Sequence, residues 1–139
     1  MEYKRQGEQI FIRLDKGEEI LSCVKDVCCK ENVKAGSISG IGATDNFTVG
    51  VFNIKEKRYI EYFFNTNHEI NCIVGNVTYV NGEPFIHAHI TCTGEDCKVV
   101  GGHLLKGIIS LTCEIVITLS ALNITREKDE QKGINVWEF

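Results

Sequence analysis

The sequence predicts a chain of the α+β class, a mostly antiparallel β-sheet with one amphipathic helix lying across it. Three observations carry this expectation. Apolar residues recur with helical spacing in a single stretch near the N-terminus, whereas from Val33 onward the chain consists of β-branched and aromatic runs punctuated by Gly. One Pro and 13 Gly among 139 residues argue against disordered, collagen-like and low-complexity classes. No repeat, linker or shift in composition divides residues 1–139, which are therefore read as a single domain. A chain of this length can bury roughly two-thirds of its unfolded surface, so it needs no metal or disulfide staple to hold a core.

Gln9 to Leu14 alternates, with Ile10, Ile12 and Leu14 on one side and Phe11 and Arg13 on the other, as in a half-buried strand. Gly17-Glu18-Glu19 then places acids at a helix start, where unpaired N–H groups and the positive dipole end favour them. Ile20, Leu21, Val24, Val27 and Cys28 follow at helical spacing, which predicts a helix over 17–31. Strands are expected over 34–43, 46–53, 58–64, 69–80, 84–93, 97–100 and 109–119. Asn81-Gly82 marks a two-residue hairpin, because both residues tolerate the positive φ it demands. The segment Arg126 to Phe139 closes on Ile134, Val136 and Trp137, a last strand docked on the sheet or on a neighbour.

Fifteen Lys and Arg against nineteen Asp and Glu give a formal charge of −4. Duplex DNA binding draws on a basic excess or patch, and neither is visible. The densest basic runs, Lys55-Glu56-Lys57-Arg58 and Arg126-Glu127-Lys128-Asp129, are interrupted by acids and read as solvated turns. Seven Cys form an odd set in apolar contexts, with no C-x-x-C pair. Met1-Glu2-Tyr3-Lys4-Arg5 does not open a signal peptide, and no apolar run approaches a membrane span of ~18 residues. A reducing cytoplasm is the expected location, with most thiols acting as small buried hydrophobes.

The sharpest chemical feature is His87, His89 and His103, in Phe85-Ile86-His87-Ala88-His89-Ile90 and Gly101-Gly102-His103-Leu104. Side chains two apart on a strand share a face, so His87 and His89 aim at one point while Ile86, Ala88 and Ile90 face the core. A third imidazole on a loop, with Gly101-Gly102 allowing close backbone approach, would complete a three-His site with one open position. Zinc suits this set, and other divalent transition metals fit the same imidazoles. The fourth histidine, His68, is read as a turn residue at a strand start.

Glu69 and Glu114 interrupt otherwise apolar strands, where a carboxylate is costly unless paired, hydrogen-bonded or metal-bound. Either is a candidate general acid or base beside a metal; alternatively, strand alternation turns each toward solvent. Gly40-Ile41-Gly42-Ala43 lacks the third glycine and following helix of a dinucleotide loop, and reads as a strand with close backbone packing. No P-loop and no G-x-S-x-G elbow is present.

In order along the chain stand Ser39-Gly40-Ile41-Gly42-Ala43, Val49-Gly50-Val51-Phe52, Glu69-Ile70 leading to Gly75-Asn76, the His87 and His89 pair, Gly101-Gly102-His103-Leu104, and Glu114-Ile115-Val116. This set resembles the plants-and-prokaryotes conserved domain, the PPC family, over almost the full length. The resemblance implies an α/β domain of the α+β type, with a mixed, largely antiparallel β-sheet and a flanking amphipathic helix, assembled as a homotrimer. It also implies that the three His form a metal site, as in prokaryotic members. Plant relatives join the domain to AT-hooks, short basic arms that enter the DNA minor groove; this chain has no such arm. DNA contact is therefore expected to be indirect or weak, through DNA-associated proteins. At the level of fold the family is similar to acetolactate decarboxylase, an enzyme whose metal is held by three His, which implies metal chemistry but no substrate.

Two functions are compatible with these residues. One is a trimeric metal-binding regulatory or interaction module. The other is a small zinc-dependent lyase or hydrolase that takes a small-molecule ligand at the metal, with Glu69 or Glu114 moving the proton.

Overall fold

The computed structural model describes residues 1–139. In chain order its elements are β1 (Glu2–Gln6), β2 (Gln9–Asp15), α1 (Ile20–Lys30), β3 (Gly36–Asn53), β4 (Arg58–Phe64), β5 (His68–Val80), β6 (Glu83–Gly94), β7 (Val99–Leu119), β8 (Thr125–Asp129) and β9 (Ile134–Glu138). All nine strands belong to one sheet, in the order β1-β2-β7-β3-β5-β8-β9, with β4 added to β3. β6 pairs with both β5 and β7, which themselves flank β3, so β3, β5, β6 and β7 close on one another. Every pairing is antiparallel except the short contact of β8 with β5, which makes the sheet mixed.

The predicted alternation decides which way each strand faces. Ile10, Ile12 and Leu14 of β2 are buried at 0, 2 and 0% exposure, while Phe11 is 48% exposed. They join a core with Ile38 and Phe47 of β3, Ile73 of β5, Ala88 and Ile90 of β6, and Ile115 and Ile117 of β7. The helix lays Ile20, Val24, Val27 and Cys28 onto this core. Its N-cap is Glu19, whose carboxylate accepts from the Ser22 N–H at 2.7 Å and the Gly107 N–H at 3.1 Å, tying the first turn to β7. At the other end Asn32, with φ 51°, lets the chain turn so that the Val33 N–H reaches the Cys28 carbonyl. No helix is long and apolar enough to cross a membrane.

Several expectations need correction. The runs 34–43 and 46–53 are one strand, β3, because the polar step between them is absorbed as register shifts against β7. There the fully buried Thr44 hydroxyl donates to the Ile108 carbonyl at 2.6 Å, which satisfies the disturbed backbone. Likewise 99–100 and 109–119 are parts of one 21-residue strand, β7, while Cys97 and Lys98, expected in a strand, lie in the turn before it, with Cys97 at φ 61°. His68 is not a turn residue: it opens β5, is buried, and lies edge-on to Phe47 and Phe64, with Nδ1 2.7 Å from the Thr66 carbonyl. The run Arg126 to Asp129 is strand β8, paired with β9, rather than a solvated turn. The hairpin is as expected, with Asn81 and Gly82 at φ 52° and 83° joining β5 to β6.

The seven cysteines are free thiols. Cys28, Cys92 and Cys113 are buried, which pushes each thiol up to about 12, so at neutral pH they serve as packing groups.

The pairing of β5 with β6 requires Gly75. A Cβ there would lie 2.3 Å from the His87 carbonyl oxygen and 2.8 Å from the Ala88 Cα, both backbone atoms. Gly75→Ala should therefore destabilise the fold by about 2–4 kcal/mol. Urea unfolding should show a lower midpoint with an unchanged slope. Gly82→Asn, at a positive φ with open space around it, should shift the midpoint little.

Candidate metal centre

His87 and His89 project from the same face of β6, while Ala88 and Ile90 face the core at 2 and 1% exposure. His103 lies directly opposite His89 in the β6–β7 ladder, and directly opposed residues share a face. Three imidazoles therefore converge by strand geometry alone. Their ring centroids are 5.4, 5.0 and 5.4 Å apart, and one nitrogen from each lies within 4.8 Å of the others.

His103 stands on a strand, not on the expected loop. Gly101 and Gly102 serve close packing instead: β7 is threaded between β6 and β3, where a Cβ on Gly101 would lie 2.4 Å from the Ile90 carbonyl and one on Gly102 2.9 Å from that of Gly50. Gly50, opposite His103 on β3, makes room for a further group. A Cβ there would meet the Tyr59 ring at 2.6 Å, and that ring stacks on His103 with centroids 4.7 Å apart and planes 19° apart. Tyr59 thus covers one side of the cluster, while His89 stays exposed.

Arg126 of β8 covers another side, and sequence reasoning missed it because it sits in a mixed charge run. Its Nε–H donates to Thr78 Oγ1 at 2.9 Å, Nη1 to the Asn135 carbonyl at 3.1 Å, and Nη2 to Asn76 Oδ1 at 2.9 Å. Nη2 also lies 3.2 Å from His87 Nδ1. The guanidinium packs 5.2 Å from the Phe85 ring centroid and makes no ion pair with any carboxylate.

The electrostatics favour neutral rings at His87 and His103. Burial, then the Arg126 charge and His89, hold His87 below the ordinary histidine range. Burial, reinforced by His87, His89 and Arg126, lowers His103 to about 4. Neutral imidazole is the form that ligates a metal. One atom signals a missing partner: His103 Nδ1 is buried with no hydrogen bond. The donor set fits a transition metal, since three imidazoles with an exposed side match the coordination of an open zinc site.

The chain matches the Plants and Prokaryotes Conserved (PCC) domain over residues 1–120. It belongs to the PPC family. A protein from Bacteroides thetaiotaomicron, described as a "putative DNA binding protein", shares 30% identity and a TM-score of 0.96, over 99% of this chain and 96% of the other. The plant- and prokaryote-conserved (PPC) protein of Pyrococcus horikoshii shares 32% identity and a TM-score of 0.88, over 99% and 94%. A protein from Archaeoglobus fulgidus, described as metal-containing, shares 28% identity and a TM-score of 0.88, over 100% and 99%. The likeness to acetolactate decarboxylase from Bacillus subtilis is one of fold: 16% identity, TM-score 0.58, over 88% of this chain and 57% of the enzyme. No curated protein matches the chain in sequence.

The PPC motifs fall into two places. Val49-Gly50-Val51-Phe52 and Gly101-Gly102-His103-Leu104 build the His cluster and its Tyr59 cover. Ser39 to Ala43 of β3 lies between β5 and β7, beside Glu69 and Glu114. Both carboxylates are exposed and line a shallow depression with Ile41, Ala43 and Leu111, and neither joins the three imidazoles.

The low value of His103 has a consequence for acid stability. Its folded-state value lies below the unfolded one of about 6.5, so as pH falls from there toward 4 the unfolded chain takes up a proton that the folded chain resists. In the metal-free protein, stability should therefore drop between about pH 6.5 and 4. Urea midpoints across this range should fall less steeply for His103→Gln, which has no proton to gain.

Proposed function

We propose that this chain is a homotrimeric metal-binding PPC-domain protein that acts as a regulatory or interaction module, with residues 1–139 forming one unit. His87, His89 and His103 hold the metal, and zinc is the ion that best suits them. The observation that carries this reading is the convergence of three imidazoles, one of which, His103, has a buried Nδ1 with no hydrogen-bond partner. The metal-containing Archaeoglobus relative supports it. When bound, such an ion supplies a Lewis-acid centre. The chain's own residues do the rest: β6 and β7 set the imidazole spacing, Tyr59 and Arg126 shield two sides, and His89 leaves one side to solvent.

Direct nucleic-acid binding finds little support in the surface charge. The chain carries a formal charge of −4, and four of its exposed basic side chains are paired with acids, Arg58 with Glu56, Lys98 with Asp96, Lys128 with Glu130 and Lys132 with Asp129. DNA association, carried by the description of the Bacteroides relative, is therefore assigned to partner proteins. Catalysis by Glu69 or Glu114 is the weaker reading, because both stand outside the cluster. For assembly, the helix-free face of the sheet offers Phe11, Ile41 and Val74, each roughly half exposed (48, 56 and 58%).

Elemental mass spectrometry on untagged protein should find about one transition metal per chain, lost in His87→Ala; absence from both after zinc is offered would remove the metal from this reading. Sedimentation should give a three-chain mass for the native protein and a one-chain mass for Ile41→Glu. A native monomer would refute the trimer.

A further inference from the structure

The charge balance at the His cluster is unusual. It has three imidazoles and a half-buried guanidinium, yet no carboxylate belongs to the cluster and none pairs with Arg126. A cation removed from water is costly without a counter-charge, and a divalent ion beside it deepens the deficit. No carboxylate of this chain supplies that counter-charge.

The hydrogen bonds show where it would be received. Nη2 of Arg126 points one N–H at His87 Nδ1, which as an acceptor uses its lone pair. Ligation of a metal through Nδ1 takes that lone pair. Ligation through Nε2 puts a proton on Nδ1, which then faces the Arg126 donor head-on. Either way, metal binding frees a guanidinium N–H at the edge of the centre. The other contacts, to Thr78, Asn76 and Asn135, are independent of His87 and keep the group in place. The far end of the β8–β9 hairpin is held as well, by Lys57 Nζ donating to the Glu130 carbonyl at 2.9 Å. The exposed edge at His89 leaves an approach from solvent.

We propose that Arg126 makes this centre selective for a small oxyanion ligand, a carboxylate or phosphate, held between the metal and the guanidinium. This rests on the metal site proposed above. Arg126 lies in the C-terminal β8–β9 hairpin, beyond residues 1–120 of the family match. Guanidinium suits the task because its planar donors match two oxygens of one oxyanion, and charge-assisted bonds of this kind are about twice as strong as neutral ones.

The test uses the full chain loaded with cobalt(II), whose visible absorption reports ligands at the metal, titrated at constant ionic strength with acetate, inorganic phosphate and neutral acetamide. Acetate or phosphate should change the spectrum of the native protein with at least tenfold higher affinity than that of Arg126→Gln, while acetamide treats both alike. Cobalt itself should bind Arg126→Gln as tightly as the native chain or more tightly. Should Arg126→Gln fail to fold, Asn76→Asp sets a carboxylate against the guanidinium and should weaken anion binding in the same way. Equal anion affinities in native and variant proteins would overturn the role of Arg126 and leave the metal site standing. No cobalt spectrum in any variant would overturn the metal site and this inference with it.

Discussion

The register of β6 against β7 is the constraint on which the rest of the molecule depends. His89 faces His103 across that ladder, and the neighbouring positions turn Ala88, Ile90 and Leu104 into the core. Because side chains alternate along a strand, a slip of one residue would exchange imidazoles for aliphatic groups on both faces at once. The register is held on the far side too, since β7 pairs with β3 while β6 pairs with β5 and β3 joins the two. This closure explains why so many glycines sit at pairing positions rather than in turns. At Gly75 and Gly101 the neighbouring backbone occupies the space a side chain would take.

The two faces of this sheet have opposite energetics. The inner one is a continuous aliphatic core that gains free energy by leaving water. Around the His cluster the outer one does the reverse: it holds a buried nitrogen without a partner, imidazoles kept from protonating, and a guanidinium without a carboxylate. None of these is offset by a carboxylate of the chain. Unsatisfied groups gathered in one place, on a frame rigid enough to hold them, are what distinguishes a binding site from a poorly packed surface.

Much of this was legible in the sequence, and the gaps have physical causes. The alternation of Gln9 to Leu14, the helical spacing from Ile20 to Cys28 and the Asn81-Gly82 turn are local signals, and each was realised. His87 and His89 were legible because period-two spacing fixes their common face. His103 was legible as a third partner but not as a strand residue, because a Gly pair reads equally as a loop or as close backbone packing, and only the position of β3 and β6 decides. β1 was missed, since Glu-Tyr-Lys-Arg-Gln at the sheet edge carries no alternation to detect. Arg126 was missed because its partners, Asn76, Thr78 and His87, lie 39 to 50 residues away, beyond any local pattern. For Glu69 and Glu114 the sequence left two readings open, and the structure has the residues on either side of them turned inward while the carboxylates are exposed, as strand alternation allows.

The outward face would also link the proposed assembly to access at the His cluster. Across the ladders, Phe11 of β2 stands beside Val116 of β7, Val116 beside Ser39 of β3, Ser39 beside Val74 of β5, and Val74 beside His89 of β6. Directly opposed residues share a face, so this row leads from an exposed apolar patch to the one imidazole that remains open to solvent. A subunit contact that buried Phe11 and Val74 would run up to His89 and narrow the approach left by Tyr59 and Arg126. The wall of the cluster on that side would then belong to a neighbouring copy, and the size of any ligand admitted would depend on how the chains associate as much as on the three imidazoles.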